Sequence, residues 1–102
     1  MPVTLTVMYL TAGGTTFDHD YHATKHMPLV GQNFGKHMVS ASASEGLAGG
    51  PDTPPGFHAL AIMVFEDQSK LDAAMAASAP VLSDTPNYYN GDPQMLIGEV
   101  IT

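Results

Sequence analysis

Three features of this amino-acid sequence predict an α+β fold. Alternating apolar runs at Val3–Leu10 and Phe57–Phe65 read as strands, helically spaced apolar residues follow Ser69, and turn-rich breaks separate these segments. At 102 residues the chain is too short for two cores, which need roughly 150 residues or more. A single domain over residues 1–102 is therefore expected.

The first strand directs Val3, Leu5, Val7 and Tyr9 to one side and Thr4, Thr6, Met8 and Leu10 to the other. The run Ala12-Gly13-Gly14-Thr15-Thr16 ends it. Asp18 is placed to cap a helix starting near His19, because its carboxylate accepts from free backbone N–H groups. Pro28 lacks a donor and crowds the preceding turn, so a kink or restart is expected before the helix ends near Phe34. His37–Leu47 reads as a second strand, small and polar in its middle, and Ala48–Gly56 as a loop too proline-rich for a tight hairpin. Phe57–Phe65 is the clearest strand, with Phe57, Ala59, Ala61, Met63 and Phe65 opposite His58, Leu60, Ile62 and Val64. Ser69-Lys70-Leu71-Asp72 has the form of a capping box with aspartate in place of glutamate. Behind it Leu71, Ala74, Met75, Ser78 and Leu82 share a helix face, which Pro80 should weaken or end. Asp84–Pro93 is turn-rich, and Gln94–Ile101 completes the strands.

The order β-α-β-β-α-β is the ferredoxin-like plan, a four-stranded antiparallel sheet with two helical segments. The first, third and fourth strands are largely apolar on both sides, whereas two helices cover only one face of such a sheet. The remaining face needs a cover, and a second copy of the same sheet is the simplest one. A homodimer burying sheet against sheet is expected.

Composition narrows the function. The chain is 44% hydrophobic and 13% charged, about half the usual charged share of roughly 25%. Three lysines against ten acidic residues leave a net charge of −7, and arginine is absent. Such a chain repels polyanions and has little with which to hold phosphates, which excludes nucleic acid as a main partner and argues against a phosphate-rich cofactor. Without cysteine there is no disulfide, thiolate nucleophile or cysteine-held metal. The leading MPVTLTVMYL lacks the basic start of a signal peptide, and no apolar run approaches the ~20 residues that span a bilayer. A cytoplasmic protein without membrane contact is expected.

The runs Phe17-Asp18-His19-Asp20-Tyr21-His22 and His26-Met27-Pro28-Leu29-Val30 resemble the first-helix signature of the EthD family. Gly46-Leu47 with the proline-rich loop, the Phe57–Phe65 strand and Asp84-Thr85-Pro86-Asn87-Tyr88-Tyr89 extend the likeness over nearly the whole chain. The family takes its name from ethyl tert-butyl ether degradation, where an oxygenase system carries out the oxidation, and it belongs to the dimeric α+β barrel superfamily. The resemblance implies a dimeric barrel with a pocket between helices and sheet in each subunit. It also implies cofactor-free oxidoreductase or isomerase chemistry on a small apolar, oxygen-bearing compound, or else an accessory role that binds such a compound for an oxygenase system.

Within that frame His26 is the candidate acid or base, because imidazole exchanges protons near neutral pH. The competing reading has it bonded to a backbone carbonyl freed by Pro28. Tyr88 is a candidate oxyanion donor and Asp84 a candidate polar partner, although Asp84 serves equally well as a turn brace. Tyr21, His22, Met63 and Tyr89 are candidate ligand contacts; in an extended segment Tyr88 and Tyr89 diverge, so at most one of them enters the pocket. His19, His22 and His26 share a helix face by spacing, but Asp18 and Asp20 do not join it, so no metal site is assigned. No cofactor is expected either. His37 and His58 read as strand residues at an edge or interface, and Gly13-Gly14 and Gly49-Gly50 as turns.

Overall fold

A computed structural model describes residues 1–102. Strands β1 (Val3–Leu10), β2 (Met38–Glu45), β3 (Phe57–Phe65) and β4 (Gln94–Glu99) form one antiparallel sheet in the order β2-β3-β1-β4. This is the α+β, ferredoxin-like arrangement that the element order predicts. β2 and β4 are shorter than expected. His37 lies in the turn after the first helical segment rather than in a strand, its N–H donating to the Phe34 carbonyl at 2.8 Å. Gly46 ends β2 where a Cβ would overlap the Phe57 carbonyl oxygen.

The first helical segment is continuous from His19 to Phe34, but its pitch changes. α1 (His19–Tyr21) is capped by the Asp18 carboxylate, which accepts from the Tyr21 N–H at 3.0 Å. A π-helical turn follows (His22–His26) and runs into α2 (Met27–Phe34). The kink or restart expected at Pro28 takes the form of this change of pitch, with α2 starting at Met27. Pro28 lacks the N–H that would bond back into the preceding turn, and the wide turn just before it absorbs the irregularity. The second segment is broken where the sequence reading had it weaken late. α3 (Gln68–Ala76) ends near Ala77, and Pro80 sits in the first turn of a new short helix, α4 (Ala79–Ser83). Its cap is Asp67, not Ser69: the Asp67 carboxylate accepts from the Lys70 N–H at 3.0 Å and from the Ser69 hydroxyl at 2.7 Å.

The helices cover one face of the two central strands. Leu5, Val7 and Tyr9 of β1 and Ala61, Met63 and Phe65 of β3 are buried against Val30, Phe34, Leu71, Ala74 and Val81. The alternate residues Thr6, Met8, Leu60, Ile62 and Val64 lie only half-buried on the opposite face, where Leu96 of β4 is 59% exposed. No helix is long and apolar enough to cross a membrane.

Candidate active site

The sequence delivers four polar side chains to one end of the helix-covered face. Tyr9 is the last buried residue of β1. His26 closes the π-helical turn, one turn beyond His22, with both rings directed inward and buried. The turn after α4 supplies Asp84 and Tyr88; a short 3-10 helix (Thr85–Asn87) fixes the spacing between them. That turn is tied to the start of α1, where the Asp18 N–H donates to the Tyr88 carbonyl at 2.8 Å.

These side chains form one continuous hydrogen-bonded chain. His26 Nδ1 lies 2.9 Å from Asp84 Oδ2, and His26 Nε2 lies 3.1 Å from the Tyr88 hydroxyl. The Tyr88 hydroxyl is in turn 2.7 Å from that of Tyr9. The other Asp84 oxygen accepts from the Tyr21 hydroxyl at 2.7 Å and the Asn87 amide at 2.9 Å. Burial opposes ionisation of Asp84, but the hydrogen bonds from Asn87, Tyr21 and His26 outweigh it and hold the carboxyl below its ordinary range. An acceptor-only carboxylate fixes the proton of a neutral His26 on Nδ1, leaving the Nε2 lone pair toward Tyr88. Burial pushes the phenols of Tyr9 and Tyr88 up, so both remain hydroxyls at any physiological pH.

Tyr9, His26 and Tyr88 meet an apolar cavity of about 30 Å³ between helices and sheet, room for one or two water-sized molecules. Leu5, Val7, Val30 and Phe34 form its inner wall, and Leu82, Pro93 and Met95 its outer one. Four methionines, Met27, Met63, Met75 and Met95, also line it. Their unbranched side chains yield readily to a guest, so the resting volume does not set the ligand's size. No lysine or arginine reaches the lining, which leaves a carboxylate or phosphate without a counter-charge.

Of the residues expected to contact a ligand, Met63 lines the cavity, whereas Tyr21, His22 and Tyr89 do not. Tyr21 braces Asp84 from outside. Tyr89 is as buried as Tyr88, but its hydroxyl donates to the Leu10 carbonyl at 2.8 Å, at the sheet end. The segment is turned rather than extended, so both tyrosines go inward and only one reaches the cavity. His26 does not bond a backbone carbonyl freed by Pro28; its partners are the Asp84 and Tyr88 side chains.

His22 stacks on His26 with ring centres 5.2 Å apart, and its Nε2 is buried without a partner. Burial, reinforced by the nearby His26 and His19, lowers its pKa to about 4. His19 turns away to Glu45 at 3.4 Å, and no three metal-ligating side chains converge. His58 is held at the sheet end by the Thr15 hydroxyl at 3.0 Å.

Sequence reasoning missed Tyr9. The signal was its place on the apolar side of β1, because a buried tyrosine hydroxyl needs a partner. The partner is Tyr88, 79 residues away.

No family model matches the chain, and no curated protein matches it in sequence. Solved structures do match. An EthD-like protein from Ralstonia eutropha is 32% identical, with a TM-score of 0.89 over 99% of this chain and 93% of its own. An ethyl tert-butyl ether degradation (EthD) family protein from Bacillus halodurans is 19% identical, with a TM-score of 0.78 over 99% of this chain and all of its own. SnoaB, a cofactor-independent oxygenase from Streptomyces nogalater, shares the fold alone: 11% identity and a TM-score of 0.64 over 99% and 94% of the two chains. Identity and coverage with the Ralstonia protein agree with the first-helix signature, and the chain belongs to the EthD-like family.

Proposed function

We propose that this protein carries out cofactor-free acid–base chemistry on a small, neutral, apolar molecule bearing oxygen, with His26 as the acid or base. The observation that carries this reading is the Asp84–His26–Tyr88 chain meeting a largely apolar cavity whose other polar side chains are the hydroxyls of Tyr9, Ser78 and Thr85. Asp84 holds the imidazole in one tautomer and stabilises the cation formed when Nε2 takes a proton. Tyr88 presents a hydroxyl beside that nitrogen, able to pass a proton to or from it. Isomerisation by proton transfer and deprotonation ahead of oxidation both use this arrangement. The cofactor-independent oxygenase among the structural neighbours supports the reading at the level of fold.

The half-buried face of Met8, Leu60, Ile62 and Val64, with exposed Leu96, supports a homodimer formed sheet against sheet. Light scattering at micromolar concentration tests this, with the dimer mass expected and the monomer mass against it.

Native mass spectrometry of the purified protein tests the chemistry. A small organic adduct is expected; once identified, the compound is incubated with protein alone. Conversion that falls about a hundredfold in His26→Ala supports the assignment. Tight binding without conversion supports the accessory reading, in which the protein holds a compound for an oxygenase system. Conversion unchanged in His26→Ala and Tyr88→Phe means the site is misplaced.

A further inference from the structure

The hydrogen bonds beyond His26 can reverse direction with the charge state of the imidazole. With His26 neutral, Nδ1–H donates to Asp84 and the bare Nε2 accepts from Tyr88. The Tyr88 hydrogen is then used, so the 2.7 Å contact with Tyr9 requires Tyr9 to donate. The Tyr9 oxygen keeps a lone pair and offers the cavity an acceptor. With His26 protonated, Nε2–H donates to Tyr88, Tyr88 donates to Tyr9, and the Tyr9 hydrogen is released toward the cavity.

Building on the function proposed above, we infer that Tyr9 is the residue that touches the ligand's oxygen, at the end of a reversible relay from His26. The ligand class that follows is a neutral apolar molecule with an acidic hydroxyl, such as an enol or a phenol, whose conjugate oxyanion accepts from Tyr9. A ligand O–H gives its proton to Tyr9 while the Tyr9 proton moves to Tyr88 and the Tyr88 proton to His26 Nε2. The O–H bond breaks, one N–H bond forms, and the cation rests against Asp84. The reverse movement delivers a proton to a ligand oxygen. No redox partner is needed.

The groups facing His26 are Asp84 and Tyr88 from the turn after α4, Tyr9 beyond Tyr88 on β1, and His22 stacked on it from its own helix. Tyr21 acts on it only through Asp84. His22, pushed to about 4 by burial and the neighbouring histidines, carries no charge over the range in which the relay is read.

Cyclohexanone, cyclohexanol and cyclohexane serve as probes: an acceptor, a ring able to donate or accept, and a ring with neither function. Calorimetric titration in two buffers of different ionisation enthalpy, at about pH 8 where imidazole is ordinarily neutral, counts the protons taken up. Cyclohexanone is expected to bind with uptake of a fraction of a proton per site, and cyclohexanol with none. In Tyr9→Phe the uptake should vanish and cyclohexanone affinity fall about tenfold, while cyclohexane binding is unchanged. Cyclohexanone bound without uptake, or no binding by any probe up to its solubility, overturns the inference. Uptake that persists in Tyr9→Phe but disappears in His26→Gln removes Tyr9 from the relay and leaves His26 as the acid or base. Uptake that persists in both variants removes His26 as well.

Discussion

The two faces of the sheet are cut from the same strands and have opposite fates. On β1 and β3 the residues directed toward the helices are buried, and those between them, Met8, Leu60, Ile62 and Val64 beside Thr4 and Thr6, are only half-buried. The covered face ends at Tyr9 in a polar chain, whereas the other sets aliphatic side chains among threonines and the serines of β2. Strand alternation makes both faces, but only a cover decides which becomes a core, and only the covered face excludes enough water to make hydrogen bonds directional and strong.

The sharpest way to break the comparison is to delete one side chain from each face. Leu71→Ala, at a fully buried position against the covered face, should cost about 3–5 kcal/mol in chemical denaturation. Val64→Ala on the opposite face should cost under about 1 kcal/mol in dilute protein, with a concentration-dependent midpoint if sheets pair. Next in size, Ile62→Asp places a charge in the centre of the open face. A folded monomer by circular dichroism and light scattering is expected, with the dimer weakened at least about a hundredfold. An unchanged mass would mean that the face is not an interface.

On the covered side, Asp84→Asn tests whether orientation of His26 matters. The amide can donate to Nδ1 and favour the wrong tautomer, so turnover of an identified substrate should fall about tenfold or more with little change in KM.

The smallest effect concerns His22. Its folded-state pKa lies near 4, below the ordinary imidazole value of 6.5. Between those values the unfolded chain binds more protons than the folded one, so stability falls as the pH is lowered from about 6.5 to 4. Asp84, also held low, adds to the loss at the acid end of the range. His22→Phe keeps an aromatic ring in the stack and should flatten the 6.5-to-4 portion of the profile in thermal melts. A slope identical to the parent protein's would place its origin elsewhere.

Much of this was legible before any coordinates. β1 and β3 lie where alternation puts them, because eight or nine alternating residues leave no other register that buries one full face. Asp18 caps the first helix as expected. Local competition was harder to read. Asp67 and Ser69 are both good caps two residues apart, and Asp67 prevails because its carboxylate takes the Lys70 N–H and the Ser69 hydroxyl together. Pro80 reads as weakening or ending a helix, yet it opens a new one, where the missing donor costs least, whereas Pro28 lies inside a continuous helical run whose pitch changes just before it.

By itself the sequence determined the order of elements and the apolar alternation of β1 and β3, since these follow from spacing and side-chain chemistry; the likeness to the EthD family singled out His26 in the first helix and Asp84 and Tyr88 in a polar, turn-rich stretch. Tertiary structure alone decided that Tyr9 completes their chain, that Tyr21 braces Asp84, and that Tyr89 and His22 are buried outside the cavity. The contacts that make the site span 58 to 79 residues, and no local pattern reports which of two adjacent tyrosines a distant strand will meet.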